Sequence, residues 1–184
     1  MDEIKIGTTS IRLRQGDIVK AGTEAIVNAA NSDLAAGGGV CGAIYRAAGY
    51  DELDRETAKY NGCPTGRAVI TSAGKIPLPT RYIIHAVGPI YSLYSQTENE
   101  NLLTSAYRTS LELASNHHLK SIAFPAISTG IYGYNLNEAT PIVFRTLTGF
   151  LKNQPATSLE LILLILFSAA DLATYRFHLS KIEF

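Results

Sequence analysis

An excess of charge of either sign is missing from this sequence: over 184 residues, 16 Lys and Arg stand against 16 Asp and Glu, a formal net charge of zero. Without a basic excess there is no electrostatic footprint of a nucleic-acid binder or of a protein drawn to anionic membranes, so neither partner is expected. A small anion is a different matter, because backbone N–H groups hold phosphate without any basic side chain. Cysteine is scarce too. Cys41 and Cys63 are too few for a disulfide scaffold and their spacing fits no zinc motif, so no metal and no cofactor is expected and a reducing compartment is. Long apolar runs are also lacking. The most apolar stretch, Leu161 to Phe167, falls far short of the roughly 20 residues that span a bilayer. Met1-Asp2-Glu3 offers neither the basic start nor the apolar centre of a signal peptide. These absences lead to the expectation of a cytoplasmic, soluble monomer, and the length suits a single domain over 1–184 with a substantial core.

What is present is a regular alternation of strand-like and helix-like segments. Ile4 to Ile6 and Ser10 to Arg14 read as strands, the second alternating apolar Ile11 and Leu13 with polar neighbours; Ala25 to Val27 is a brief buried strand. Val40 to Ala48 reads as a helix entered from a glycine run and closed at Gly49, and Asp51 to Tyr60 as a second helix ended by Asn61-Gly62. Further strands are expected at Arg67 to Thr71, Tyr82 to Val87, Ser121 to Phe124 and Leu159 to Phe167. Helices are expected at Asn101 to Asn116, Asn137 to Leu151 and Asp171 to Lys181. The alternation predicts an α/β domain, a mostly parallel sheet covered by helices on both faces. Ligands of such sheets bind beyond the carboxyl ends of the strands, which singles out the loops after Arg14, Val27, Val87, Phe124 and Phe167.

Three of these loops carry chemistry. In Gly16-Asp17-Ile18 a carboxylate at a strand end could accept a hydrogen bond from an exocyclic amine, though for this motif taken alone a plain Gly-Asp turn capping the next segment is the better account. Asn28-Ala29-Ala30-Asn31 leads to Gly37-Gly38-Gly39-Val40 and a helix. The glycines admit close approach of a ligand, the helix N-terminus favours an anion, and the two amides can orient sugar hydroxyls. The spacing is neither G-x-G-x-x-G nor a P-loop. Ser128-Thr129-Gly130-Ile131-Tyr132-Gly133-Tyr134 offers hydroxyls and N–H groups to a diphosphate, with Tyr132 as a flat face for a sugar or base. Two glycine-rich loops at strand ends of one sheet converge on one ligand.

The stretches VNAAN (27–31), GGGV (37–40), RAAG (46–49), CPTGRAVIT (63–71), YIIHAVGP (82–89) and AFPAISTGIYGY (123–134) strongly resemble macrodomains, in order and spacing, over nearly the whole chain. The branch most resembled is the MacroD type, which includes bacterial O-acetyl-ADP-ribose deacetylases and mono-ADP-ribosyl hydrolases. The resemblance implies a three-layer αβα sandwich around a mixed, mostly parallel six-stranded sheet, and a site for ADP-ribose or its protein-linked or O-acetyl derivatives. By the same resemblance Asp17 and Ile18 would hold adenine, with Phe167 bordering it. Gly37, Gly38, Gly39, Val40 and Cys41 would cradle the diphosphate together with Ser128, Thr129, Gly130, Ile131 and Tyr132. Asn28 and Asn31 would contact the distal ribose and Tyr132 would flank it.

MacroD-type enzymes usually read GGGVDGAIHRAAG where this chain reads GGGVCGAIYRAAG. Cys41 stands in place of an aspartate thought to activate water, and Tyr45 in place of a histidine. A thiol with an ordinary pKa of about 8.5 is a poor substitute for a carboxylate base, unless the helix N-terminus lowers it into a reactive thiolate. A GVC-x-A-x-Y arrangement is similar to that of alphavirus macrodomains, a group that includes hydrolases. The resemblance therefore implies substrate-assisted hydrolysis, with Asn31, Tyr132 and Cys41 as the residues nearest the chemistry and mono-ADP-ribosylated proteins as partners. A non-catalytic reader of ADP-ribose, and a scaffold regulating an RNA-processing partner, are the alternatives. Of the remaining polar residues, His85 in its apolar strand reads as a satisfied core histidine. His117 and His118 read as a helix end, Cys63 as packing, and Glu98, Asn99 and Glu100 as a solvated helix start. Ser128 with His85 would make a nucleophile and base, but lacks an orienting carboxylate.

Overall fold

The computed structural model describes residues 2–182. Its elements run β1 (Glu3–Ile6), β2 (Thr9–Gln15), β3 (Ala25–Ala29), α1 (Gly39–Ala48), α2 (Tyr50–Thr57), β4 (Ala68–Ser72), β5 (Tyr82–Ala86), α3 (Gln96–Asn116), β6 (Ser121–Phe124), α4 (Leu136–Asn153), β7 (Leu161–Leu166) and α5 (Ala169–Leu179), with single 3-10 turns at Ile18–Lys20 and Tyr91–Leu93. Every expected segment is present. The largest shift is in α3, which begins five residues early. Ser95 and Glu98 form a reciprocal capping box there, so Glu98, Asn99 and Glu100 lie inside the helix.

One sheet carries all strands in the order β1-β2-β7-β6-β3-β5-β4. The neighbours β2/β7, β7/β6, β6/β3 and β3/β5 are parallel, whereas β1 on β2 and β4 on β5 are antiparallel edges. The sheet thus has seven strands where the resemblance implied six. The short β1 turns back onto β2 through Gly7 at φ 58° and adds the extra edge.

Side-chain alternation assigns the two faces. Ile162, Leu164 and Leu166 of β7 join Val27, Ile84, Phe124 and the buried stripes of α3, α4 and α5 in one cluster. Leu163 and Ile165 join Ile26, Ile83, Ala123 and the buried faces of α1 and α2 in another. Period-two alternation therefore feeds two cores from one strand. That is why β7 is an unbroken apolar run: a central parallel strand has no solvent face. Three layers result, helices on both sides of the sheet. Among the described residues, no helix is long and apolar enough to cross a membrane.

Leu164, 1 % exposed at the middle of β7, tests this packing. Leu164→Ala is expected to lower unfolding stability by about 2–5 kcal/mol in a denaturant titration, from the lost transfer energy and the cavity. A loss under about 1 kcal/mol would mean that Leu164 is not packed into the core shared with α3, α4 and α5.

Candidate functional site

Because β2, β7, β6, β3 and β5 run parallel and lie side by side, the loops that leave their carboxyl ends emerge in one row. From one side of the row to the other stand Asp17, Phe167, the 125–134 loop, the 30–38 loop and Gly88. At about 4.8 Å per strand spacing the row spans roughly 19 Å. The sequence had singled out these five loops, and the topology brings them together.

At the first position Gly16 N–H donates to Leu166 O at 3.0 Å, which ties the end of β2 to β7. Asp17 caps the 3-10 turn, its Oδ1 accepting from Val19 N–H at 3.1 Å. The capping role weighed for it is real, and it occupies only one carboxylate oxygen. Ile18 is buried beneath. Phe167 is 90 % exposed beside Gln15, whose Nε2 donates to the Phe167 carbonyl. A large aromatic ring left this open at a strand end is a face available for stacking.

In the 125–134 loop, Ser128 adopts φ 66°, a left-handed conformation that costs a non-glycine residue about 1–2 kcal/mol. Tyr107 of α3 anchors the loop's start from inside the core. Its hydroxyl donates to Pro125 O at 3.1 Å and accepts from Ile127 N–H at 3.2 Å, while its ring stacks on Phe124. The Thr129 hydroxyl folds back on Ala126 O at 2.9 Å, so it serves the turn. Ser128 Oγ is buried without a partner among the described residues. Its backbone carbonyl accepts from Tyr134 N–H, and the N–H groups of Gly130, Ile131 and Tyr132 have no backbone acceptor among the described residues.

The second glycine loop meets the first directly. A methyl group on Gly38 would stand 3.3 Å from Ile131 Cδ1, and Ile131 itself is 82 % exposed. Helix α1 starts at Gly39 (φ 56°) with no side-chain cap and no acidic residue in its first turn. The N–H groups at its start, among them those of Gly39 and Val40, are thus free and carry the positive end of the helix dipole. Burial and the nearby Cys41 and Asp33 push the half-buried Tyr132 hydroxyl up, which keeps it a neutral phenol. Gly88 was missed in the sequence. A side chain there would collide with Ser128 Oγ at 2.1 Å and Ile127 Cγ2 at 2.5 Å, so only glycine lets the β5 and β6 loops lie together.

Asn31 uses half of its hydrogen-bonding capacity inside the protein. Its Nδ2 donates to Ala35 O at 2.9 Å and its Oδ1 accepts from Ala35 N–H at 3.0 Å. A carboxamide retains one further donor and one further lone pair after that. Asn28 is 1 % exposed. Its Nδ2 reaches Cys41 Sγ at 3.6 Å and His85 Nδ1 at 3.1 Å, leaving Oδ1 the unpartnered atom. His85 Nε2 in turn meets Thr71 Oγ1 at 3.0 Å, and Thr71 donates to Ser72 O. With Asn28 donating, Nδ1 must accept and Nε2 must carry the proton, so His85 is a satisfied core histidine as expected. Both its nitrogens are taken, which removes it as a base for Ser128.

Both departures on α1 face inward. Cys41 is not a reactive thiolate: it is buried, donates to Ala35 O at 3.7 Å, and burial pushes its thiol up despite the nearby helix end. Tyr45 lies four residues on, along the same face of the helix. It is fully buried, and its hydroxyl donates to Leu34 O. Cys63 packs as expected, its N–H donating to Ser32 O at 2.8 Å. Asn99, read as part of a solvated helix start, is instead 1 % exposed and ties down the loop before α3 through Tyr91 O and Tyr94 O. Tyr91 N–H then donates to Tyr132 O at 2.9 Å.

Burial holds the His85 pKa down to about 4, against an ordinary 6.5. The unfolded chain therefore binds more protons between those values, and stability is full above pH 6.5 and falls as the pH drops toward 4. One proton corresponds to a slope of about 1.4 kcal/mol per pH unit. Unfolding titrations across this window should show such a slope in the wild type and a flatter one in His85→Gln. Equal slopes would place the titration elsewhere.

Comparison with known proteins agrees with this geometry. The Macro domain family matches residues 27–143. A protein of Salmonella newport named O-acetyl-ADP-ribose deacetylase is 49 % identical over 147 residues, covering 78 % of this chain and 80 % of the relative. A variant of the Oceanobacillus iheyensis macrodomain solved with ADPR superposes with a TM-score of 0.86 at 38 % identity, covering 97 % of this chain and 96 % of that one. The Trypanosoma brucei macrodomain in complex with ADP-ribose gives 0.83 at 36 %, covering 92 % and 68 %. With its loops, its sheet and these relatives in agreement, the chain belongs to the Macro domain family.

Proposed function

We propose that this protein binds ADP-ribose along its row of loops, and that it hydrolyses mono-ADP-ribose from acidic side chains or removes the acetyl group of O-acetyl-ADP-ribose. The observation that carries the reading is the meeting of two loops rich in free N–H groups, Gly38 against Ile131, at the middle of a row about 19 Å long. A diphosphate placed there is held by backbone dipoles and the α1 N-terminus, which a chain of zero net charge can supply. Adenine then falls between Asp17 and exposed Phe167, and the distal ribose falls toward Asn31 and Tyr132. Two solved macrodomains of similar fold carry ADPR or ADP-ribose, and one relative is named a deacetylase; both support the reading.

Neither Cys41, a neutral thiol, nor His85, with both nitrogens taken, serves as an ionised base. Catalysis therefore falls to positioning and fixed dipoles. Asn31, with one donor and one lone pair to spare, holds a water beside the anomeric carbon. The water oxygen forms the new bond to that carbon as the bond to the side-chain carboxylate breaks. The carboxylate leaves with the electron pair, and the water's proton passes to an oxygen of the bound diphosphate. For an O-acetyl ester a water attacks the acetyl carbonyl carbon, the bond from that carbon to the ribose oxygen breaks, the ribose oxygen takes a proton from the water, and acetate is released. A reader that binds without turnover is the second reading, favoured by the same absence of an ionised base at Cys41.

One paired experiment decides. Calorimetry with ADP-ribose and label release from a mono-ADP-ribosylated glutamate peptide should show binding and turnover in the wild type. Asn31→Ala should cut turnover at least tenfold while changing Kd by less than about threefold, as expected when an interaction serves the transition state. Binding without turnover selects the reader; no binding contradicts both readings.

A further inference from the structure

Building on the hydrolase reading, we propose that Tyr45 is a positioning residue: its hydroxyl, with the Cys41 thiol one turn before it, clamps the 31–35 loop and thereby presents Asn31 to the ligand. Residues four apart share one face of a helix, and on α1 this face reaches two consecutive carbonyls of the loop. Tyr45 donates to Leu34 O and Cys41 to Ala35 O. The loop needs holding at this point. Leu34 lies at φ 58° with its side chain 2 % exposed, packed with Ala30, Cys63 and Val87. Ala35 is also the residue that receives both ends of the Asn31 carboxamide. A shift of Ala35 therefore releases Asn31, and the clamp is the contact that α1 applies to prevent it. On its far side the loop is fixed by Cys63 N–H on Ser32 O.

Tyr45 is fully buried, so a role in packing alone is the competing explanation. The two differ in what the hydroxyl does. If the ring merely fills space, Phe at this position changes nothing at the site. If the hydroxyl is a clamp, its removal frees Leu34 O and loosens the loop while the core stays filled.

The full chain should be compared with Tyr45→Phe, Cys41→Ala and Cys41→Ser. The readouts are kcat and KM on the mono-ADP-ribosylated glutamate peptide, Kd for ADP-ribose, and amide hydrogen exchange over residues 31–36. Tyr45→Phe is expected to lower kcat roughly ten- to hundredfold, the scale of a small misplacement, with KM and Kd within about twofold and loop exchange faster by at least tenfold. Cys41→Ala should move in the same direction, and Cys41→Ser, which keeps a donor on a shorter bond toward Ala35 O, should move the same way by less. Wild-type kcat and wild-type exchange in Tyr45→Phe would overturn the proposal. So would a rise in KM and Kd at unchanged kcat, which assigns the hydroxyl to binding. If Tyr45→Phe fails to fold, the contrast between Cys41→Ala and Cys41→Ser decides. If the wild type shows no turnover, the hydrolase reading fails separately, and loop exchange alone tests the clamp.

Discussion

The parallel pairing of β2, β7, β6, β3 and β5 is the constraint on which the rest depends. Parallel neighbours point their carboxyl ends the same way, and each return is made by a helix or long loop on a face of the sheet. Five loops otherwise separated by up to 150 residues thus become neighbours. The apolar double-sided run of β7 and the alternating faces of β3 make that arrangement stable, since both faces of the sheet are buried beneath helices. The antiparallel edges β1 and β4 add width without adding to the row of loops.

Upon this frame the loops of the proposed site are held in place for identifiable reasons. Tyr107 reaches from α3 to hold Pro125 and Ile127, Asn99 reaches from the same helix to hold the loop that meets Tyr132, and Gly88 permits the β5 and β6 loops to lie together. Asn28, His85 and Thr71 form a buried polar chain beneath Cys41. Partnered throughout except at Asn28 Oδ1, such a chain fixes side chains in place and supplies no charge. The middle of the proposed site is therefore a set of neutral dipoles held by the core, which suits recognition of a dianionic linker by a protein with no net charge.

The sequence made much of this legible, and its failures are instructive. Helix and strand periods placed every element, because amphipathic stripes and alternation are local signals. Glycine runs at strand ends singled out the loops that the topology brings together, since close backbone approach leaves its mark on composition. The support was not legible. Tyr107, Asn99 and Tyr45 sit inside helical patterns where an aromatic or an amide reads as packing or solvation, and their partners lie 5 to 20 residues away or across loops. The capping box of Ser95 and Glu98 was present as Ser-x-x-Glu and could have moved the start of α3 and drawn notice to Asn99. Cys41 and Tyr45 were noticed as departures, yet only the fold shows that both donate to the backbone of one loop.

The central claim is that a single ligand lies across the row from Asp17 to Asn31. Amide chemical shifts followed by NMR during titration with ADP-ribose test it most directly. The account predicts that the largest changes fall together, at one saturating concentration, on Asp17, Gly38 to Val40, Gly130 to Tyr132 and the 31–35 loop. Changes confined to one end of the row, or centred on the α4 and α5 surface, would contradict it.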